Sequence, residues 1–519
     1  MLRGAALAAA AFVFLCAHSS AQDTPAPPAS DAAIHDLQDQ VRQLRALIDD
    51  MRAENAQSRA EMYQLRQDLQ ATRALLERPS TANGVEVAAQ PSPAPTSSVS
   101  ANEIAPANAS LEDRVQKLED STSLLGSKID EQYQTKVETA SKYRARLHGI
   151  VLMNAFRNVG GSNNLDFPDY SLPIPAFSPL ATAGATLRQS EIGLEIFGPK
   201  FGGARTSADV QLDFAGGFPN VGNGVNFGLV RLQTASVRFD WDHTSVVAGQ
   251  DSLFFSPLSP TSFASLATPT FAFAGNLWGW TPQVRVEHRF ILDDQQTITM
   301  QGGILDNLDW EPPYNSFERT TQAGEMSGQP AYAFRTAWSR PVNAKLLSFG
   351  VAGYYGRQNW TWARYVDAYA AMADWQVPLG PRFGLSGEFY RGRGIGGLGA
   401  AIGTSVVYGG PPTLPYSPLR GLNTAGGWAQ LKFQLTPKLE FNGAFSEDDA
   451  FTSDIRGFAT DVNNFGLILG RNRGALGNVI FRPRSDLILS AELRRLLTFP
   501  VYSSSNKLNQ VNLSVGILF

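Results

Sequence analysis

At 519 residues the chain is long enough for several domains, yet only 17% of it is charged and 10% aromatic, and Gly 47 with Phe 31 suits many short strands joined by turns. A mean hydropathy of −0.15 excludes a bundle of transmembrane helices, but not a barrel whose apolar and polar faces average out. The formal net charge of −4 offers no basic surplus for nucleic acid.

Residues 1–21 read as a signal peptide, with Arg3 ahead of an apolar run from Ala5 to Ala17 and the small residues Ser19, Ser20 and Ala21 at the cleavage site. The single cysteine, Cys16, lies inside it behind Phe14 and Leu15, which are too bulky for a lipoprotein site. The mature chain from Gln22 is therefore expected to hold no disulfide, thiolate catalyst or Cys-ligated metal. No later run reaches the roughly 18 apolar residues that a membrane-crossing helix needs.

Residues 22–78 carry a heptad seam: Ile34, Leu37, Val41, Leu44, Ile48 and Met51, then Met62, Leu65, Leu69 and Leu76, with Asn55 and Ser58 as polar members that would set register. The pattern predicts a coiled coil; the alternative is a lone amphipathic helix. Residues 79–110, rich in Pro, Ala and Ser, read as an extended linker. Leu111, Val115, Leu118, Leu125 and Ile129 then predict a second short coiled coil over 111–136.

From residue 144 to 519 the period changes from 3.5 to 2. Between Gln510 and Phe519 every odd position is apolar, and the same alternation recurs in Ile192, Leu194 and Ile196 against Glu191, Gly193 and Glu195. It recurs again in Val284, Val286, His288 and Phe290 against Gln283, Arg285, Glu287 and Arg289. The predicted strands are 144–156, 187–197, 205–214, 230–240, 244–250, 281–290, 297–304, 330–339, 346–356, 364–376, 382–391, 424–435, 438–446, 474–482, 484–495 and 508–519. Connections after odd strands are mostly long and those after even strands short, as in a membrane barrel with turns on one side and loops on the other. The fold class expected is thus an all-β transmembrane barrel of about sixteen antiparallel strands with an N-terminal α-helical coiled-coil extension; a soluble sandwich is the alternative. Trp241, Trp278, Trp280, Trp338, Tyr354, Tyr355, Trp360, Trp362, Trp375 and Tyr390, near strand ends, are candidates for interfacial girdles.

In layout the chain resembles the DcaP-like trimeric outer-membrane porins and, more distantly, the phosphate-selective porins. Locally the resemblance is carried by Leu187-Arg188-Gln189-Ser190-Glu191-Ile192-Gly193, by Val246-Val247-Ala248-Gly249-Gln250-Asp251 and by Gln283-Val284-Arg285-Val286. It implies a homotrimer in the outer membrane, contacts with lipid, a periplasmic coil, recognition of Phe519 by the barrel assembly machinery, and passive diffusion of small polar or anionic solutes. The linker that splits the coil and the scarcity of basic residues in the long loops depart from the family and weaken the carry-over of an anion preference.

A pore needs no catalytic residue and no cofactor, because solute moves down its own gradient and the lining charges select it. The lumen-phase cations expected to do so are Arg231, Arg285, Arg289, Arg335 and Lys432, facing Glu191, Glu195, Asp209, Asp213, Glu287 and Glu388; the alternative is that they pair along the wall. Loop 251–280, with Phe254, Phe255, Phe263, Phe271 and Phe273, is too apolar to stay outside and is expected to fold into or against the barrel. His35, His148, His243 and His288 show no metal-pair spacing, and the Gly-rich stretch 392–399 follows no βαβ unit, so neither a metal enzyme nor a nucleotide site is expected. A tether or adhesin, whose coil binds cell wall or a partner while the barrel anchors it, is the rival reading.

Overall fold

A computed structural model describes residues 144–519 apart from 219–227, 294, 308–319, 344, 361, 413 and 459–468. The expected signal peptide, both coiled coils and the linker lie outside the described residues. Sixteen antiparallel strands form one closed sheet. In chain order they are β1 (Arg144–Val159), β2 (in two pieces, Ala181–Thr186 and Glu191–Phe197), β3 (Arg205–Asp213), β4 (Arg231–Asp240), β5 (Thr244–Ser252), β6 (Trp280–Ile291), β7 (Thr297–Leu305), β8 (Ala331–Val342), β9 (Lys345–Asn359), β10 (Tyr365–Pro378), β11 (Phe383–Arg393), β12 (Asn423–Thr436), β13 (Leu439–Ala450), β14 (Leu469–Phe481), β15 (Leu487–Pro500) and β16 (Asn506–Leu518).

Every strand pairs with its sequence neighbours, and β1 closes the ring on β16 in a register running from Ile150↔Leu518 to Val159↔Asn509. Closure leaves the barrel sheet, among the described residues, without a free edge to seek another chain. Phe519 completes the seam: its carbonyl accepts from Gly149 N at 3.0 Å and its own N–H donates to Gly149 O at 3.1 Å. A side chain at Gly149 would meet the Phe519 ring at 2.8 Å and the Glu191 carbonyl at 2.3 Å, so only glycine fits there.

Along β16, Val511, Leu513, Val515 and Ile517 are 45, 55, 49 and 53% exposed, whereas Gln510, Asn512 and Ser514 are 2, 1 and 3% exposed. A soluble barrel would show the reverse. The same inversion recurs around the ring, with Val151, Val284, Phe334, Val351 and Leu493 exposed and Asn154, Gln283, Asp374, Asn442 and Glu492 buried. Stable burial of the exposed set requires hydrocarbon as the outer solvent.

On the exterior the indole of Trp338 stacks on Phe349 at 6.4 Å, and Phe383, Phe433 and Phe441 stack in sequence at 4.7 and 6.2 Å. Tyr354 and Tyr390, grouped above with the girdle candidates, instead point inward and are buried under a loop. The second strand also differs from expectation, because residues 181–186 already pair with β1 and the chain breaks ladder only over 187–190. Ala181-Thr182-Ala183-Gly184-Ala185-Thr186 has no large apolar side chain, so its alternation leaves no hydropathy trace.

Candidate functional site

Residues 253–279 link β5 to β6 and contain no charged side chain. They begin with Leu253, Phe254 and Phe255, which pack on an apolar sector of the inner wall formed by Ala331, Ala333, Tyr354, Ala370, Met372 and Tyr390. Phe255 lies 5.5 Å from the Tyr354 ring. That sector, on β8 to β11, would otherwise face water, which is the physical reason that a greasy loop is drawn inward.

From there polar side chains of successive strands hold the loop. Glu388 on β11 accepts from Ser256 Oγ at 2.6 Å and Leu258 N at 2.8 Å. Gln430 on β12 accepts from Thr261 N at 2.6 Å, and Asn478 on β14 donates to Thr261 O at 2.8 Å. Ser262 donates to Glu492 on β15. Asn154 on β1 donates to Phe263 O at 2.7 Å, and Gln189, in the break of β2, accepts from Leu266 N at 2.8 Å while donating to Ala264 O at 3.2 Å. Arg231 on β4 donates to Ala267 O. The loop thus follows the inner wall from β11 round to β4, with wall side chains bonding the named backbone groups and turns within the loop bonding others, such as Ala272 N to Pro269 O and Ala274 N to Phe271 O.

The anticipated charges sit on the inward phase, mostly bound to each other. Arg231 holds Asp213, with Nε 3.1 Å from Oδ1, and its guanidinium lies 4.8 Å from the Trp280 ring. Arg285 bridges Asp251 at 2.7 Å and Glu287 at 2.8 Å, and Arg238 reaches Glu287 at 3.0 Å. Arg335 grips Asp374 with two bonds of 2.9 and 2.7 Å, and the absence of a side chain at Gly350 makes room, since a Cβ there would fall 2.2 Å from the Asp374 carboxylate. Arg289 approaches Asp240 at 3.4 Å, and Lys432 approaches Glu440 at 3.6 Å. Glu195 pairs with Arg146, Asp209 lies 3.5 Å from His148, and Glu191 accepts from Gln211 at 2.9 Å. Glu388 stands apart, because both of its oxygens are occupied by the inner loop. The inner loop is neutral, and the wall charges pair with one another, most densely along β3 to β10, with Lys432–Glu440 on β12 and β13 and Arg494–Glu492 on β15 as further pairs.

The sequence reading missed several members of this wall: Arg238, Asp240, Asp251, Asp374, Glu440, Arg482 and the loop-holding Asn154, Gln189, Gln430 and Asn478. Each lies in a stretch whose polar phase was available in the sequence, but nothing local distinguishes a residue that holds a loop from one that faces water.

A second loop enters from the β1–β2 connection. Asn472 on β14 donates to Asp169 O at 2.9 Å, and Tyr170 meets Phe273 edge-on at 6.5 Å. Burial raises the Asp169 carboxyl to about 7, against the Asn163 hydrogen bond at 3.2 Å and the nearby Arg494 and Arg231, which favour its charge. The loop is fastened by Arg188, whose Nη2 meets Asp166 Oδ1 at 2.7 Å, with the guanidinium 5.1 Å from Phe167 and 4.4 Å from Phe218.

A closed sixteen-stranded barrel, apolar outside, polar inside and with a loop lodged against its inner wall, has the architecture of a porin. The outer membrane channel DcaP of Acinetobacter baumannii shares it with a TM-score of 0.56 at 14% identity, over 74% of this chain and 100% of that one. An anion-selective porin from Comamonas acidovorans matches with a TM-score of 0.43 at 12% identity, over 73% of this chain and 100% of that one. OprB of Pseudomonas putida matches with a TM-score of 0.44 at 12% identity, over 72% and 94%. No family model and no curated protein matches the sequence.

Proposed function

We propose that the chain is a DcaP-like outer-membrane porin that lets small polar or anionic solutes diffuse passively through its barrel. The observation that carries this reading is the inverted barrel, which has buried Asn, Gln, Asp, Glu and Arg inside and exposed aliphatic side chains outside. In this reading loop 253–279 narrows the lumen by filling the apolar sector, and solute passes along the charged wall of β3 to β10. Arg231, Arg285, Arg289, Arg335 and Lys432, with Glu191, Glu195, Asp209, Asp213 and Glu287, tune which ions pass. The neutral loop and the pairing of these charges favour weak ion selectivity. The coil of residues 22–78 stands in the periplasm and, with the barrel, makes a homotrimer, while Phe519 presents the terminal strand to the assembly machinery. Planar bilayers test the reading: purified protein should give stepwise conductance, with a small reversal potential under a salt gradient. A silent barrel that still inserts would favour the tether.

A further inference from the structure

We propose that a row of aromatic side chains in the lumen, Tyr170, Phe273, Trp278 and Trp280, is a binding track for neutral saccharides, with pyranose faces against the rings and hydroxyls on the polar groups at its two ends. The proposal deepens the pore reading above and rests on it.

The row is continuous across two loops and a strand end. Tyr170, on the β1–β2 connection, lies 6.5 Å from Phe273 of the inner loop; Phe273 lies 5.8 Å from Trp278, and Trp278 lies 5.5 Å from Trp280 at the start of β6. Each pair meets edge to face, at 85, 88 and 80°, and each step is comparable to the length of one sugar unit in a glycan chain. Phe254, Phe255 and Phe271 of the same loop are buried, whereas these four rings keep part of their surface open and enter none of the apolar clusters of the described residues. Packing accounts for the first three rings and not for these. Residues 396–403, between β11 and β12, cross beside the row with Gly399 and Gly403, where a Cβ would come within 2.9 Å of the Trp278 indole and 3.1 Å of the Phe273 ring. Beside Gly399 the Trp278 Nε1–H finds no acceptor among the described residues.

The ends of the row set the class of ligand. At one end Arg231 lies 4.8 Å from the Trp280 ring and is already bound to Asp213 and to Ala267 O. At the other, Asp169 precedes Tyr170; its carboxylate accepts from Asn163 at 3.2 Å, and Arg494 and Arg231 are near enough to favour its charge. Arg494 is itself bound to Glu492 at 2.8 Å. An anion would have to draw Arg231 or Arg494 away from its own carboxylate, and a cation would meet Arg231 already on the Trp280 face. A neutral pyranose needs neither exchange. Its C–H face is apolar enough for the rings, while its hydroxyls both donate to a carboxylate and accept from a guanidinium.

The test uses the full chain in a detergent without a sugar headgroup, titrated by calorimetry with maltotriose, and the same protein in planar bilayers, where maltotriose should interrupt the single-channel current. Sorbitol, which has hydroxyls but no ring face, and gluconate, an open-chain anion, are the comparison probes. Both should bind roughly tenfold more weakly than maltotriose. Phe273→Ala and Tyr170→Ala, on different loops, should each weaken maltotriose binding roughly fivefold, the effect of about one lost ring contact. Trp278→Phe keeps a ring and should stay near wild type, and all variants should keep the compact, heat-modifiable mobility of a folded barrel. Unchanged affinity in either Ala variant, or sorbitol bound as tightly as maltotriose, overturns the proposal; gluconate bound more tightly than maltotriose overturns it in favour of an anion site. A silent barrel that still binds maltotriose defeats the pore reading alone, and a conducting barrel indifferent to maltotriose defeats this track alone.

Discussion

Removing the Glu388 carboxylate should free the start of the inner loop while leaving the barrel closed. Glu388 is buried, and in the Glu388→Ala variant Ser256 Oγ and Leu258 N lose the acceptor they share. Each lost hydrogen bond is worth about 1 kcal/mol net, and a buried N–H left unpaired adds about 1–3 kcal/mol, less where lumen water can reach it. The sum, about 3–5 kcal/mol before any relief by lumen water, corresponds to roughly a hundredfold to a few thousandfold faster opening of that segment. The strand ladders of β11 with β10 and β12 use backbone groups, which the substitution does not touch. Hydrogen exchange of the detergent-solubilised protein should therefore show the amides near Leu258 accelerated by that factor and those of β10 to β12 unchanged. The effect should fade towards Leu266, where Gln189 still holds the loop. In the Glu388→Gln variant one acceptor oxygen remains, so the acceleration should be smaller. Unchanged exchange at Leu258 in the Ala variant, or acceleration spread over the strands, would refute the assignment of Glu388 as a loop anchor.

Arg335→Ala leaves the Asp374 carboxylate buried without its two-bond partner, at a cost of about 3–5 kcal/mol. Urea unfolding should register that loss, and adding Asp374→Ala should recover most of it; additive losses would mean that the pair is not coupled. Asp169, raised to about 7, is neutral below that pH and charged above it, so acidification from pH 8 to 6 removes a negative charge from the lumen. The reversal potential should move towards anions over that window, and Asp169→Asn should abolish the movement. The native state here holds a proton that the unfolded chain has released, so this group's contribution to stability falls as pH rises from about 4 to about 7.

The period-two alternation after residue 144 made the strands legible, since a side chain's face in a strand follows from its parity alone. Where the alternation involved large residues, as in Gln510 to Phe519 or Gln283 to Phe290, the strand and its lumen-facing phase could be assigned from the sequence. Where the residues were small, as in Ala181 to Thr186, or where a bulge inserts an extra residue, as Gln233 of β4 between the partners of Leu212 and Gln211, parity fails and the strand or its phase is lost. That loop 253–279 would avoid bulk water was legible too, because phenylalanines without a single charge cannot stay solvated.

Which partners those residues take was settled only by tertiary structure. Arg335 and Asp374 are far apart in sequence and become neighbours because β9, lying between β8 and β10, carries Gly350 where a side chain would block them. Glu388 and Glu287 look alike in sequence, both inward-phase glutamates in mid-strand, yet one binds loop backbone and the other binds arginines. Parity fixes which face a side chain occupies, whereas strand register and the path of the inner loop decide what it meets there.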